Sequence, residues 1–134
     1  MKDAILDILK ADNYLAGIDF SVITAEPGLL EFSIPLNKNL LRPGDFMNGG
    51  AIMTVLDAAG GLCVMTYGDV LNEVTVNMNT SFFHAVKSGP IKVRAKIIKR
   101  GRNITFSKIK LYDAEGKLCA EATGSWYVTR VDDS

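Results

Sequence analysis

The chain has 134 residues, the size of one domain, and 48% of them are hydrophobic, enough to bury a substantial core. Fifteen basic residues balance fifteen acidic ones, which argues against a broad basic surface for nucleic acid and places no net-charge barrier in the way of self-association. A single domain over 1–134 is expected, with an N-terminal helix in 1–16 and the core in 17–128.

The opening "MKDAILDILK" alternates Ala4, Ile5, Ile8 and Leu9 with charged residues at the spacing of an amphipathic helix. It lacks the apolar core and cleavage site of a secretory signal. "GIDFSVITAEPGLLEFSIPL" follows as two β-rich runs broken by Pro27 and Gly28, and "NKNLLRPGDFMNGG" reads as a loop with a single helical turn. An apolar helix then starts at "NGGAIMTVLDAAGG" and ends near Tyr67 and Gly68, where glycine suits a cap. The stretch Ala51 to Tyr67 is interrupted by Asp57 and two glycines and is short for a membrane span, so a cytoplasmic protein with no membrane or nucleic-acid partner is expected.

The remainder reads as strands. "EVTVNMNTSFF" alternates, with Val74, Val76, Met78, Thr80 and Phe82 on one face and Thr75, Asn77, Asn79 and Ser81 on the other. "PIKVRAKIIKRG" and "NITFSKIKLYD" are joined through Arg100, Gly101 and Arg102, and a turn at Asp113 to Gly116 leads into "KLCAEATGSWYVTRV". A helix that is apolar all round must be enclosed by protein. The expected fold class is therefore α+β, a long antiparallel sheet wrapped around a central apolar helix.

Asp57 is the only charged residue between Phe46 and Gly68. A helical aspartate is ordinarily solvent-facing or ion-paired for packing, and that reading stands beside a functional one. Its helical neighbours Met53, Thr54, Gly60, Gly61 and Val64 do not make a solvated face. Gly60 and Gly61 each cost roughly 1 kcal/mol in a helix interior, which suggests that a backbone or a ligand comes close. A carboxylate in such a crevice can take a proton from water or attack an electrophile. Gly49 and Gly50 add a second feature, because unpaired amides at a helix N-terminus, open to close approach, suit a developing oxyanion. Two glycines in a tight turn remain the plainer alternative.

With these residues in view, the sequence resembles the hotdog-fold acyl-CoA thioesterases of the phenylacetate-degradation and 4-hydroxybenzoyl-CoA thioesterase type. The matching segments are "MNGGAIMTVLDAAGG", "VTVNMNTSFFHAV", "IIKRGRNITF" and "GKLCAEATGSWYV". The resemblance implies a hotdog fold and hydrolysis of an acyl-CoA thioester to acid and CoA, with no cofactor and no metal. It also implies a homo-oligomer, dimer or dimer of dimers, in which two sheets join edge to edge and share each active site, with Asn77 and Asn79 near the seam. The catalytic set it implies is Asp57 as base or nucleophile, Gly49 as oxyanion donor, Asn48 in the place of the family's histidine, and Thr75 positioning the attacking water. Arg42, Gly50 and Phe82 are implied to line the substrate, and Lys99, Arg100, Gly101, Arg102 and Asn103 to lie along the CoA. Two positions depart from the family pattern. Asn48 can donate a hydrogen bond but cannot carry a proton, and Arg42, where relatives often have asparagine, could pair with Asp57. An acyl-CoA-holding protein that does not hydrolyse, or a hotdog hydratase or dehydratase using His84, are the alternatives.

Met53 and Val64 are expected to line an apolar tunnel. His84 is expected to be an ordinary strand-end histidine, Trp126 and Tyr127 to pack, and Cys63 and Cys119 to be buried structural thiols, not a disulfide or zinc site.

Overall fold

In the computed structural model, which describes residues 1–133, the amphipathic pattern of the N-terminus forms helix α1 (Lys2–Ala11), burying Ile5 and Leu9. Asp3 in its first turn and Lys10 in its last complement the helix dipole. The helix stops at Ala11, short of residue 16, because the Asp12 carboxylate accepts the amides of Tyr14 and Leu15 at 2.9 Å each. That bond pattern starts a separate short turn at Leu15–Gly17.

Strands β1 (Ser21–Glu26) and β2 (Leu29–Ile34) form a hairpin in which Gly28 takes φ +85°, a conformation that favours glycine. A short turn at Lys38–Leu40 precedes a two-stranded ribbon, β3 (Leu41–Arg42) and β4 (Phe46–Met47). The central helix α2 (Gly49–Val64) follows, and then the long strands β5 (Val70–Phe82), β6 (Ile91–Arg100), β7 (Ile104–Tyr112) and β8 (Leu118–Arg130). The large sheet is antiparallel throughout, in the order β1-β2-β6-β7-β8-β5. It curves around α2, which packs chiefly on β6 and β7 and also meets β2, β5 and β8. Ten residues of α2 are buried, as an all-round apolar helix requires. No described helix is long and apolar enough to cross a membrane.

Packing explains Gly60. The Trp126 ring is fully buried between α2 and the sheet, and a Cβ at Gly60 would lie 2.7 Å from its Cζ2, while one at Gly124 would lie 2.5 Å from its Cη2. The indole thus occupies volume that two glycines leave open, one on the helix and one on β8. Tyr127, its neighbour, is half exposed. Both cysteines are free and buried; Cys63 donates to the Ala95 carbonyl at 3.5 Å, and burial pushes its thiol up to about 12.

Three expectations need correction. The helix ends at Val64, a turn before Gly68, because the Thr66 hydroxyl donates to the Cys63 carbonyl at 2.6 Å and accepts the Gly28 amide at 2.8 Å. Gly68 has no capping role. Val64 is fully buried in the core and cannot line a tunnel, whereas Met53 is exposed. The third concerns β5. A bulge falls between Thr75 and Asn77, which pair with the consecutive residues Trp126 and Ser125 and leave Val76 as an extra residue. The extra residue reverses the alternation. Thr75 therefore faces α2 on the same side as Met78, Thr80 and Phe82, while Val74 and Val76 are exposed at 64% and 58%. β5 is also an edge of the sheet, with its outer side unpaired.

Candidate active site

At the N-terminus of α2 the Asn48 side-chain oxygen accepts the amides of Gly50 and Ala51, at 2.7 and 3.3 Å. This is an N-cap, and it gives Asn48 a structural task that the sequence alone did not disclose. A Cβ at Gly50 would press on that cap oxygen at 3.0 Å. Gly49 is different. A Cβ there would meet only Phe82, at an ordinary 3.9 Å, and its amide has no acceptor among the described residues. Nothing in the chain's own packing requires a missing side chain at Gly49.

In front of this amide lies a recess of about 300 Å³, with Arg42, Phe46, Gly49, Ile52, Phe82 and His84 in its lining. The structure thus brings Gly49, Arg42 and Phe82 together. His84, expected to be an ordinary strand-end residue, also stands in this recess, exposed, with its backbone amide on Cys119. Arg42 does not pair with Asp57. Its Nε donates to the Pro43 carbonyl at 3.2 Å and its guanidinium stacks on the Phe46 ring at 4.6 Å, a cation–π contact.

Asp57 lies two turns further along α2, half-buried, and its Oδ1 accepts a hydrogen bond from the Thr75 hydroxyl at 2.7 Å. The separation from Gly49 is eight residues, about 12 Å along the axis at 1.5 Å per residue. A thioester carbonyl on the Gly49 amide is out of reach of the same chain's Asp57.

Sequence reasoning missed Glu73, although it stands two residues before Thr75 on a strand and so shares its face. Its carboxylate lies over Gly61, where a Cβ would meet Oε2 at 2.9 Å. What comes close to Gly61 is therefore a side chain of the same protein. Burial, and then the negative charge of Asp57, push the Glu73 carboxyl up from 4.5 to about 7. Its proton affinity is raised in the folded state, so its contribution to stability is complete below about pH 4.5 and is lost as pH rises through about 7. Glutamine copies the protonated form. Glu73→Gln should match the parent protein in thermal melts near pH 4 and exceed it above pH 8 by roughly 2 kcal/mol, after discounting for partial exposure. Equal melts at both pH values would contradict this.

At the far end of the sheet Arg100 is exposed but is held by its own chain. It pairs with Asp69 and stacks on the Tyr67 ring at 4.0 Å. Arg130 bonds the other Asp69 oxygen at 2.8 Å and donates to the carbonyls of Gly101 and Arg102 at 3.0 and 3.4 Å. The Asn103 carbonyl accepts the Val128 amide at 2.8 Å, and a side chain at Gly101 would strike the Ile104 carbonyl. The β6–β7 hairpin is thus braced from below, and Lys99 and Arg102 keep exposed side chains with no ion pair among the described residues. Asp69 and Arg130 had no signal in the sequence, because their partners are 31 and 61 residues apart. Among the described residues, no three His, Cys, Asp or Glu side chains gather where they could hold a metal ion.

Comparison with known proteins agrees with this architecture. The family model of the Thioesterase superfamily matches residues 44–120. A protein of Thermoplasma acidophilum that bears the name of an esterase is 44% identical over 92% of this chain and 93% of its own length. The crystal structure of a thioesterase family protein from Silicibacter pomeroyi superposes with a TM-score of 0.85 at 22% identity, covering 94% of this chain and 96% of that one. A Streptococcus mutans protein crystallised with acetyl-CoA superposes with a TM-score of 0.78 at 21% identity, covering 84% of this chain and 90% of that one. With a long antiparallel sheet closed around an apolar helix, and with sequence identity sustained across nearly its whole length, the chain belongs to the thioesterase superfamily and has the hotdog fold.

Proposed function

We propose that the protein hydrolyses acyl-CoA thioesters at sites shared between two subunits. The observation that carries this reading is Gly49: a helix N-terminal amide without an acceptor, at a position kept bare although the chain's own packing leaves room for a side chain. The thioester oxygen accepts that N–H, which strengthens as negative charge develops on it. Because Asp57 of the same chain is about 12 Å away along the helix, the acid comes from the second subunit. The unpaired outer edge of β5, a strand whose helix-facing side carries Thr75 and Phe82, supplies the seam by antiparallel pairing. Such pairing also covers an edge strand rich in exposed apolar residues.

Asp57, held by Thr75, takes a proton from water as the water oxygen attacks the carbonyl carbon, or attacks that carbon itself. The tetrahedral intermediate collapses, the C–S bond breaks, and CoA leaves as the thiol, taking the proton that Asp57 removed from water; after direct attack the sulfur takes its proton from solvent and water then hydrolyses the acyl–Asp57 anhydride to the free acid. Lys99 and Arg102 face the phosphates, Arg42 and Phe82 border the acyl recess, and Arg100 serves the hairpin instead of the ligand. The reaction so written uses water and side chains and calls on no resident cofactor. The likeness to the acetyl-CoA-bound S. mutans protein supports the ligand class.

A panel of aromatic and aliphatic acyl-CoAs with a thiol-trapping reagent tests the proposal. Release of free thiol with saturation kinetics is expected for at least one member. Saturable binding without thiol release across the panel would favour an acyl-CoA-holding protein, the reading that Asn48 suggests by standing where the family has a histidine and using its oxygen as a cap. Gly49→Ala adds a test of the oxyanion donor. It should leave the melting temperature within a few degrees, since the new methyl has room, and lower turnover on the order of tenfold or more by obstructing the carbonyl.

A further inference from the structure

Glu73 remains outside the chemistry just described. Two rungs of contact join α2 to β5. On the first, Thr75 donates to Asp57; on the second, the Glu73 carboxylate rests on the bare backbone of Gly61. Asp57 and Gly61 are one helical turn apart on one face, and Thr75 and Glu73 are alternate residues on one strand face, so the two carboxylates are neighbours. The Thr75 hydroxyl has one proton and gives it to Asp57. Glu73 has no hydrogen-bond or ion-pair partner for its carboxylate among the described residues. The titratable group facing it from α2 is Asp57, while β8 presents Val128 opposite and Trp126 further along, neither of which titrates.

We propose that Glu73 is a positioning residue that tunes Asp57: it gains and loses a proton beside Asp57, and its charge, when present, drives negative charge off Asp57 towards the thioester oxygen. The proposal rests on the thioester-hydrolysis reading. In the transition state, by either general-base or nucleophilic attack, charge leaves Asp57 and appears on the carbonyl oxygen, which this proposal sets farther from Glu73 than the Asp57 carboxylate is. An ionised Glu73 therefore lowers the barrier and a neutral one does not. The half-buried setting that places this titration near pH 7 makes the site more active on the alkaline side. The protons balance without Glu73: the one Asp57 takes from water goes to the departing sulfur, the other leaves to solvent as the acid product ionises, and Glu73 only sets the field.

The test is the pH dependence of kcat between pH 5.5 and 9, with a thioester of pantetheine that carries no phosphate of its own to titrate. The parent protein is expected to show two plateaus, the upper roughly fivefold above the lower, with the rise near pH 7. Glu73→Gln is expected to fold, to keep KM within about twofold, and to hold kcat flat at the lower plateau, a response that a space-filling role would not produce. Gly61→Ala, which displaces the carboxylate, should flatten the profile too. A rise that persists in Glu73→Gln, or a parent profile that is flat, overturns the proposal while leaving hydrolysis intact. Carboxyl-carbon NMR decides the pairing independently of substrate: Glu73 should titrate near pH 7 and move down in Asp57→Asn, and an unmoved Glu73 overturns it. If no thioester is turned over at all, the hydrolysis reading fails and the kinetic tuning with it, and the NMR arm alone then reports on the pair.

Discussion

Asp57→Asn is expected to lower kcat on any accepted thioester by on the order of 10³-fold while the fold and the oligomer persist. Asparagine is nearly the same size and its oxygen can still accept from Thr75, so the 2.7 Å contact and the local packing survive. What is lost is the lone pair that takes water's proton or forms the acyl bond, together with the charge that moves to the carbonyl oxygen. Stopped assays with thiol trapping, alongside melting curves, separate the two effects. A variant with unchanged kcat would remove Asp57 from the chemistry, and one that fails to fold would show that the carboxylate is structural. Thr75→Val should have a smaller effect, roughly tenfold, because it frees Asp57 to rotate without removing it.

The largest effect on stability is expected at Trp126. Its ring is fully buried and bridges α2 and β8 over Gly60 and Gly124. Trp126→Ala removes that bridge and leaves a cavity between helix and sheet, at a cost of about 3–5 kcal/mol. For a chain of this length the melting temperature should fall by roughly 10–20 °C. Gly60→Ala is the complementary change, since its methyl would collide with the ring and with Ile109 Cδ1 at 2.9 Å, and about 1–3 kcal/mol is expected. The two are not independent: with the ring gone the methyl loses its main obstacle and the Ile109 side chain has a cavity to move into, so the double variant should be more stable than the sum of the singles predicts. Strict additivity in urea melts would refute the account of the glycine.

Much of this was legible from residue order. Elements whose signal is periodic came through, because an apolar run of helical length and a set of alternating strands leave few ways to bury their surfaces. The glycines of α2 were recognised as admitting something close, yet the visitors are Trp126, from a strand far along the chain, and Glu73, from the next strand, whose register only the fold sets. Local spacing cannot show such partners. The same limit hid the bracing of the hairpin by Asp69 and Arg130. It also hid that Arg100, expected along the CoA, is paired with a carboxylate and stacked on a ring of its own chain. The helix end was misplaced because a threonine hydroxyl, not a glycine, finishes it. Asn48 looked like a weakened catalytic group because nothing in the sequence distinguishes a capping asparagine from one that meets substrate.

Val76, the surplus residue of β5, has an outcome beyond geometry. Thr75 and Phe82, of opposite kind, both look towards the helix although an even number of residues lies between them, because the bulge at Val76 shifts the alternation by one. Removing Val76 would restore regular pairing from Asn72 to Phe82, yet it would swing Thr75 and Glu73 outward as a pair and leave Asp57 unaccompanied. In this protein the spacing of a single strand, measured in whole residues, decides whether the pair that accompanies Asp57 is assembled or turned out to solvent.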